Sequence, residues 1–153
     1  MSNSTTSDTF GLHESSINAT WLVLSASLVF IMQIGFMALE TGSVGRIWRP
    51  GTIVKNFEDL FLGVVSFSIL GYSLAFADDG NLQGFVGGFK HIFLLNIQSS
   101  DYLFVLFQMC FVSTAATIVS GCVVERMTSG SYAIFSFLLS LFVYPILVHW
   151  VWR

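Results

Sequence analysis

Four stretches of this chain carry almost no charge, and polar, glycine-bearing segments separate them. The apolar stretches cover about residues 20–40, 57–77, 102–124 and 131–152. Each is about as long as a helix must be to cross a hydrocarbon core roughly 30 Å thick at 1.5 Å per residue. The segments between them read as turns. Gly42, Gly45, Arg46, Arg49, Pro50, Gly51 and Lys55 predict a short loop after the first stretch. Asp78-Asp79-Gly80-Asn81 is a turn cluster after the second, and residues 80–101 predict an extended loop with some short structure. Thr128-Ser129-Gly130 predicts the last turn, and Pro145 a kink in the fourth stretch. The fold class expected is an all-α membrane protein with four transmembrane helices.

Residues 1–18 have a different character. They are polar and rich in Ser and Thr, and they contain no Lys or Arg. Such a segment cannot bury enough apolar surface to fold alone, so it predicts a tail. The acidic leader (Asp8, Glu14) and the long apolar run after it argue against a cleaved signal peptide. Two glycosylation patterns, at Asn3 and Asn18, fall in or beside this tail.

Composition agrees with the pattern. Of 153 residues, 54% are hydrophobic and 10% charged, against roughly a quarter charged in soluble domains. Mean hydropathy is +0.77. The net charge of −3 is spread out, so no basic patch for nucleic acid exists. The cations decide orientation. Arg46, Arg49 and Lys55 lie between the first two spans, and Arg126 lies between the last two. The positive-inside rule then places the tail outside the cell. The expected location is a multi-pass protein of the plasma membrane, with the lipid bilayer as its surroundings. Cys110 and Cys122 would stand roughly 18 Å apart on one helix, too far to bridge, and read as small packing residues. No nucleophile–base pair, phosphate loop or metal-ligand spacing appears, so neither an enzyme nor a cofactor is expected.

Several residues could carry chemistry. Phe107 and Phe111 are four apart, on one helix face, with Gln108 beside them. Aromatic faces offset part of a cation's lost hydration, about 0.5–2 kcal/mol each. Spacing alone leaves the bland reading open, because the chain holds sixteen Phe and most must face lipid or core. Trp150 and Trp152 could be simple interfacial anchors. His149 reads as a structural hydrogen-bonding group, and His13 and His91 carry no signal. Small residues permit close helix approach: Ala115, Ala116, Ser120 and Gly121 on the third span, and Gly35, Gly63 and Gly71 elsewhere.

The order Phe107-Gln108-Met109-Cys110-Phe111, Glu125-Arg126 and His149-Trp150-Val151-Trp152 resembles the ammonium transporter family (Amt/Mep, related to Rhesus proteins). Gly71-Tyr72-Ser73-Leu74-Ala75-Phe76 is similar to another segment of that family, and Leu39-Glu40-Thr41-Gly42 to its Leu-Glu-x-Gly. Lys55-Asn56 with Asp59 is similar to its entry into the second span, whereas Arg46 to Gly51 departs from it. The resemblance implies an all-α fold of about eleven helices, of which this chain is the N-terminal portion, built on inverted repeats and assembled as homotrimers. It implies ammonium or ammonia as substrate. Phe107 and Phe111 would be the pore gate, and Phe111 and Trp152 would bind the substrate. Glu40, Lys55, Asn56, Asp59, Glu125, Arg126 and His149 would be structural polar residues, paired by hydrogen bonds and salt bridges at the cytoplasmic edge or, for His149, near the outer one. The family's paired pore histidines and outer-site serine lie on later spans, and His149 does not take their role. Two other readings stand beside transport: an ammonium sensor of the same fold, and a four-span structural or regulatory protein.

Overall fold

In the computed structural model the backbone is described for residues 2–77 and 85–152, and side chains from residue 13 onward. The elements are α1 (Ser2–Ser43), α2 (Arg49–Ser66), α3 (Tyr72–Phe76), α4 (Tyr102–Val123), α5 (Ser129–Leu138) and α6 (Tyr144–Trp152). A π-turn at Phe67–Gly71 joins α2 to α3, and another at Leu139–Val143 joins α5 to α6. Four helical units are long and apolar enough to span a membrane: His13–Ser43, Arg49–Phe76, Tyr102–Val123 and Ser129–Trp152.

Three sequence expectations need correction. The segment 1–18 is not irregular, because α1 runs unbroken from Ser2. Its side chains from His13 to Asn18 are exposed, so the helix there is held by its own backbone ladder and not by packing. Asn18 is exposed, while the side chain of Asn3 lies outside the described residues, as does the Asp78–Asn81 cluster. The second span also begins earlier than position 57. Pro50 sits in the first turn of α2, where its missing N–H costs nothing and its fixed φ suits a helix start. Pro50 therefore opens a helix in place of the expected loop, and Lys55 and Asn56 become buried helical residues. Finally, a Cβ built on Gly35 or Gly121 meets nothing within 4 Å, so neither marks a close helix approach.

Gly63 and Gly71 do mark close approaches. A Cβ at Gly63 would lie 2.9 Å from Ser113 Oγ, and one at Gly71 would lie 2.7 Å from the Phe67 ring and 3.2 Å from Pro145. The π-turn at Leu139–Val143 ends two residues before Pro145. Proline cannot donate to the ladder and crowds the carbonyl four residues back, and a widened turn relieves both problems. The expected kink is thus a π-turn.

α4 packs against both α1 and α2, α5 packs against α2, and α3 against α6. A compact apolar cluster of Phe67, Tyr72, Val105 and Val112 sits between them. The interior also holds many polar groups. Ser66, Ser73, Ser113, Ser120, Ser136 and Ser140 are all fully buried, while Trp21, Leu24, Leu28 and Ile31 of α1 are exposed. This arrangement suits lipid, where small size and interhelical hydrogen bonds associate helices more than apolar burial does.

Candidate functional site

The three aromatics singled out in the sequence meet in space. α4 sets Phe107 and Phe111 one turn apart, with ring centroids 4.9 Å apart and planes at 76°. Trp152 reaches them from the end of α6. Its ring lies 5.7 Å from that of Phe111 at 65°, and 6.4 Å from that of Phe107 at 68°. All three contacts are edge-to-face, the arrangement that ring quadrupoles favour. Phe107 and Phe111 are half-buried, and Trp152 is 49% exposed. The cluster is therefore open on one side. A cation at the ring faces would meet negative electrostatic potential without a fixed counter-charge.

Neighbouring contacts fix where Trp152 stands. His149, one turn earlier, is buried, and its Nδ1 lies 2.9 Å from the Ala75 carbonyl at the end of α3. That contact links α6 to the end of α3. Trp150 Nε1 donates to the Phe85 carbonyl at 2.8 Å, and its ring packs against Phe85. Two side chains thus tie α6 to α3 and to the loop that follows it. Ser73 does the same for the loop: its Oγ donates to the Gly88 carbonyl and accepts from the His91 N–H.

Gln108 is not beside the rings. One residue along a helix is a 100° turn, and Gln108 lies on the buried side with Val105 and Val112. It is fully buried, and neither amide atom has a partner among the described residues.

The structural polar residues gather at the other end of the bundle. Glu40 Oε2 accepts from Asn56 Nδ2 and Oε1 accepts from Ser120 Oγ, both at 2.8 Å, tying α1 to α2 and α4. Asp59 is fully buried and accepts from Tyr132 OH at 2.6 Å and Ser136 Oγ at 2.7 Å, tying α2 to α5. Lys55 Nζ donates to the Val124 and Met127 carbonyls, each at 3.3 Å, and lies over the Tyr132 ring. An ammonium there satisfies the bare carbonyls at the C-terminus of α4 and complements its dipole. Glu125 accepts from the Gly45 N–H, and the Arg126 side chain is exposed. The expected salt bridges are not what holds this end. Among the described residues, hydroxyls, amides and carbonyls meet these charges, a pairing that satisfies a buried ion without a second ion's desolvation. Sequence reading missed Tyr132, Ser136 and the bond from Gln33 to Thr117. The signal was present: Tyr132 and Ser136 are polar groups four apart on one face of an apolar span.

The sequence profile of the Ammonium Transporter Family matches residues 20–153. The chain belongs to the ammonium transporter family. It is 40% identical over 139 residues to ammonium transporter 1 member 3 of Solanum lycopersicum, covering 90% of this chain and 29% of that one. It is 36% identical to putative ammonium transporter 1 of Caenorhabditis elegans, covering 93% of this chain and 26% of that one. The fold is similar to that of a solved sensor Amt protein, with a TM-score of 0.83 at 30% identity. That match covers 90% of this chain and 34% of the other. The chain thus spans about a third or less of the relatives it matches.

Proposed function

We propose that this chain supplies part of a transmembrane ammonium path, acting as the N-terminal portion of a longer transporter. Family membership supports ammonium as the substrate. The observation that carries the site assignment is the edge-to-face cluster of Phe107, Phe111 and Trp152. In this reading Phe111 and Trp152 hold the ammonium cation at the mouth of the path. Phe107 and Phe111 gate the step behind it, where the cation sheds water. The aromatic end faces outward and the end with Glu40, Lys55 and Asp59 faces the cytoplasm, in a plasma-membrane protein that works as a homotrimer. The polar residues of the inner end hold helices together.

The test is methylammonium uptake by cells lacking their own ammonium carriers, expressing the native protein. A cation–π contact of about 0.5–2 kcal/mol corresponds to roughly a 2- to 30-fold change in apparent affinity. Trp152→Leu and Phe111→Leu are each expected to raise the half-saturating concentration by that factor, with surface expression unchanged. Uptake indifferent to both substitutions would remove the aromatic site from the mechanism and favour a structural role for the rings.

A further inference from the structure

A cleft of about 260 Å³ lies between α1 and α4 at the end away from the aromatic cluster. Phe36, Leu39, Ile118 and Val124 make most of its wall, and Glu40, Ser43 and Thr117 are its polar members. Glu40 is 8% exposed and lines this largely apolar opening. Both oxygens accept a hydrogen bond, one from Asn56 and one from Ser120, which holds the group in place. Each carboxylate oxygen has a second lone pair, so one donor apiece leaves acceptor capacity unused.

Charge makes the cleft more than a packing gap. Among the described residues, Glu40 and Asp59 are the buried carboxylates and Lys55 the buried ammonium. Lys55 is committed to the Val124 and Met127 carbonyls and the Tyr132 ring, not to Glu40. Asp59 is closed off by two hydroxyls. The described interior therefore carries one negative charge in excess, and Glu40 lines an opening. An ionisable group within a membrane-spanning helix pairs with an opposite charge or marks an ion path.

We infer that the Glu40 cleft is a binding site for a small monovalent cation of the ammonium class, at the opposite end of the bundle from the aromatic rings. The choice of ammonium rests on the proposed transport function. The location of the site rests on the cleft and the charge excess alone. N–H donors would satisfy the spare carboxylate lone pairs, and the Phe36 ring would take part of the remaining charge.

The experiment is thermal unfolding of the native protein purified in detergent. Methylammonium chloride would be titrated against sodium chloride at constant ionic strength, in a Phe111→Leu/Trp152→Leu background that removes the aromatic site. At ten times the dissociation constant the expected rise in Tm is about 3–5 °C. Glu40→Gln should abolish the rise, and Glu40→Asp should keep a weaker one. Gly121→Leu provides a variant that spares the Asn56 and Ser120 bonds: a Cβ at Gly121 meets nothing within 4 Å, and a Leu there would fill the cleft from α4. It should also abolish the rise without lowering the ligand-free Tm. An unchanged rise in Glu40→Gln and Gly121→Leu overturns the site. An equal rise with sodium overturns the ammonium class. Loss of the whole rise in the background variant overturns the second site while leaving the proposed function standing. A methylammonium shift in a protein that transports nothing would overturn the function and leave the site.

Discussion

The Asp59 centre offers a quantitative test of how this bundle is held. Asp59 is fully buried and accepts two hydrogen bonds from α5, from Tyr132 at 2.6 Å and Ser136 at 2.7 Å. Hydrogen bonds to a charged acceptor contribute about 1.5–3 kcal/mol, against roughly 0.6 kcal/mol for an average neutral pair between membrane helices. Tyr132→Phe keeps the ring that lies under Lys55 and deletes only the hydroxyl. It should cost about 2 kcal/mol, or roughly a 4–8 °C drop in Tm for a protein of this size. Asp59→Asn keeps the shape and removes the charge. In that background Tyr132→Phe should cost only about 0.6 kcal/mol, so the two changes should couple by more than about 1 kcal/mol. The assay is thermal unfolding of the four proteins of the cycle in bicelles, followed by far-UV circular dichroism. A cost for Tyr132→Phe that is the same with Asp59 and with Asn at that position would refute the argument. It would mean that the hydroxyl is held by the Ala116 carbonyl, its other neighbour at 3.3 Å.

Two further expectations concern the close approaches and the outer end. Gly63→Ala should destabilise by about 1–3 kcal/mol, because its Cβ would press on Ser113. Gly35→Ala, with open space around it, should be neutral or slightly stabilising, and the same unfolding assay separates the two. His149→Leu removes the bond to Ala75 at the base of Trp152. It should lower methylammonium uptake at subsaturating concentration several-fold while moving Tm by no more than about 1–3 kcal/mol would.

The sequence disclosed the spans and the Phe107–Phe111 pair for one reason and hid the polar interior for another. A span is a local property: twenty uncharged residues announce themselves wherever the rest of the chain goes. The Phe107–Phe111 pair is also local, since one helical turn fixes it. Trp152 became part of the site only through the family resemblance, because its distance to α4 depends on the π-turn, Pro145 and the bonds of His149 and Trp150. Pro50 is ambiguous in sequence because proline both ends and opens helices, and the choice depends on the residues after it. Glu40, Lys55 and Asp59 were legible as edge charges paired by hydrogen bonds and salt bridges, but which groups would pair with them was not. Serine, threonine and tyrosine in an apolar span look like minor interruptions in a sequence. In lipid they are the groups that satisfy buried charge, and Ser120, Tyr132 and Ser136 serve that purpose here.

The π-turn at Leu139–Val143 decides where Trp152 stands, and single deletions can test it. A π-turn carries one residue more than an α-helix needs over the same rise. Deleting Phe142, which lies within the turn and is exposed, lets the segment close into regular helix. The residues on either side then keep their facing. Deleting Leu147, equally exposed but beyond the turn, removes a residue that regular helix requires. Every later side chain then rotates by about 100°. That rotation carries His149 away from the Ala75 carbonyl and Trp152 away from Phe111. The two variants lose one exposed apolar side chain each, so lipid contact changes little in either. The Phe142 deletion is expected to retain uptake and the aromatic contacts, at the cost of crowding between Pro145 and the carbonyl four residues back. The Leu147 deletion is expected to lose saturable uptake altogether. If both deletions reduce uptake to the same degree, the π-turn does not set the register of α6, and Trp152 must be held by contacts other than those of its own helix.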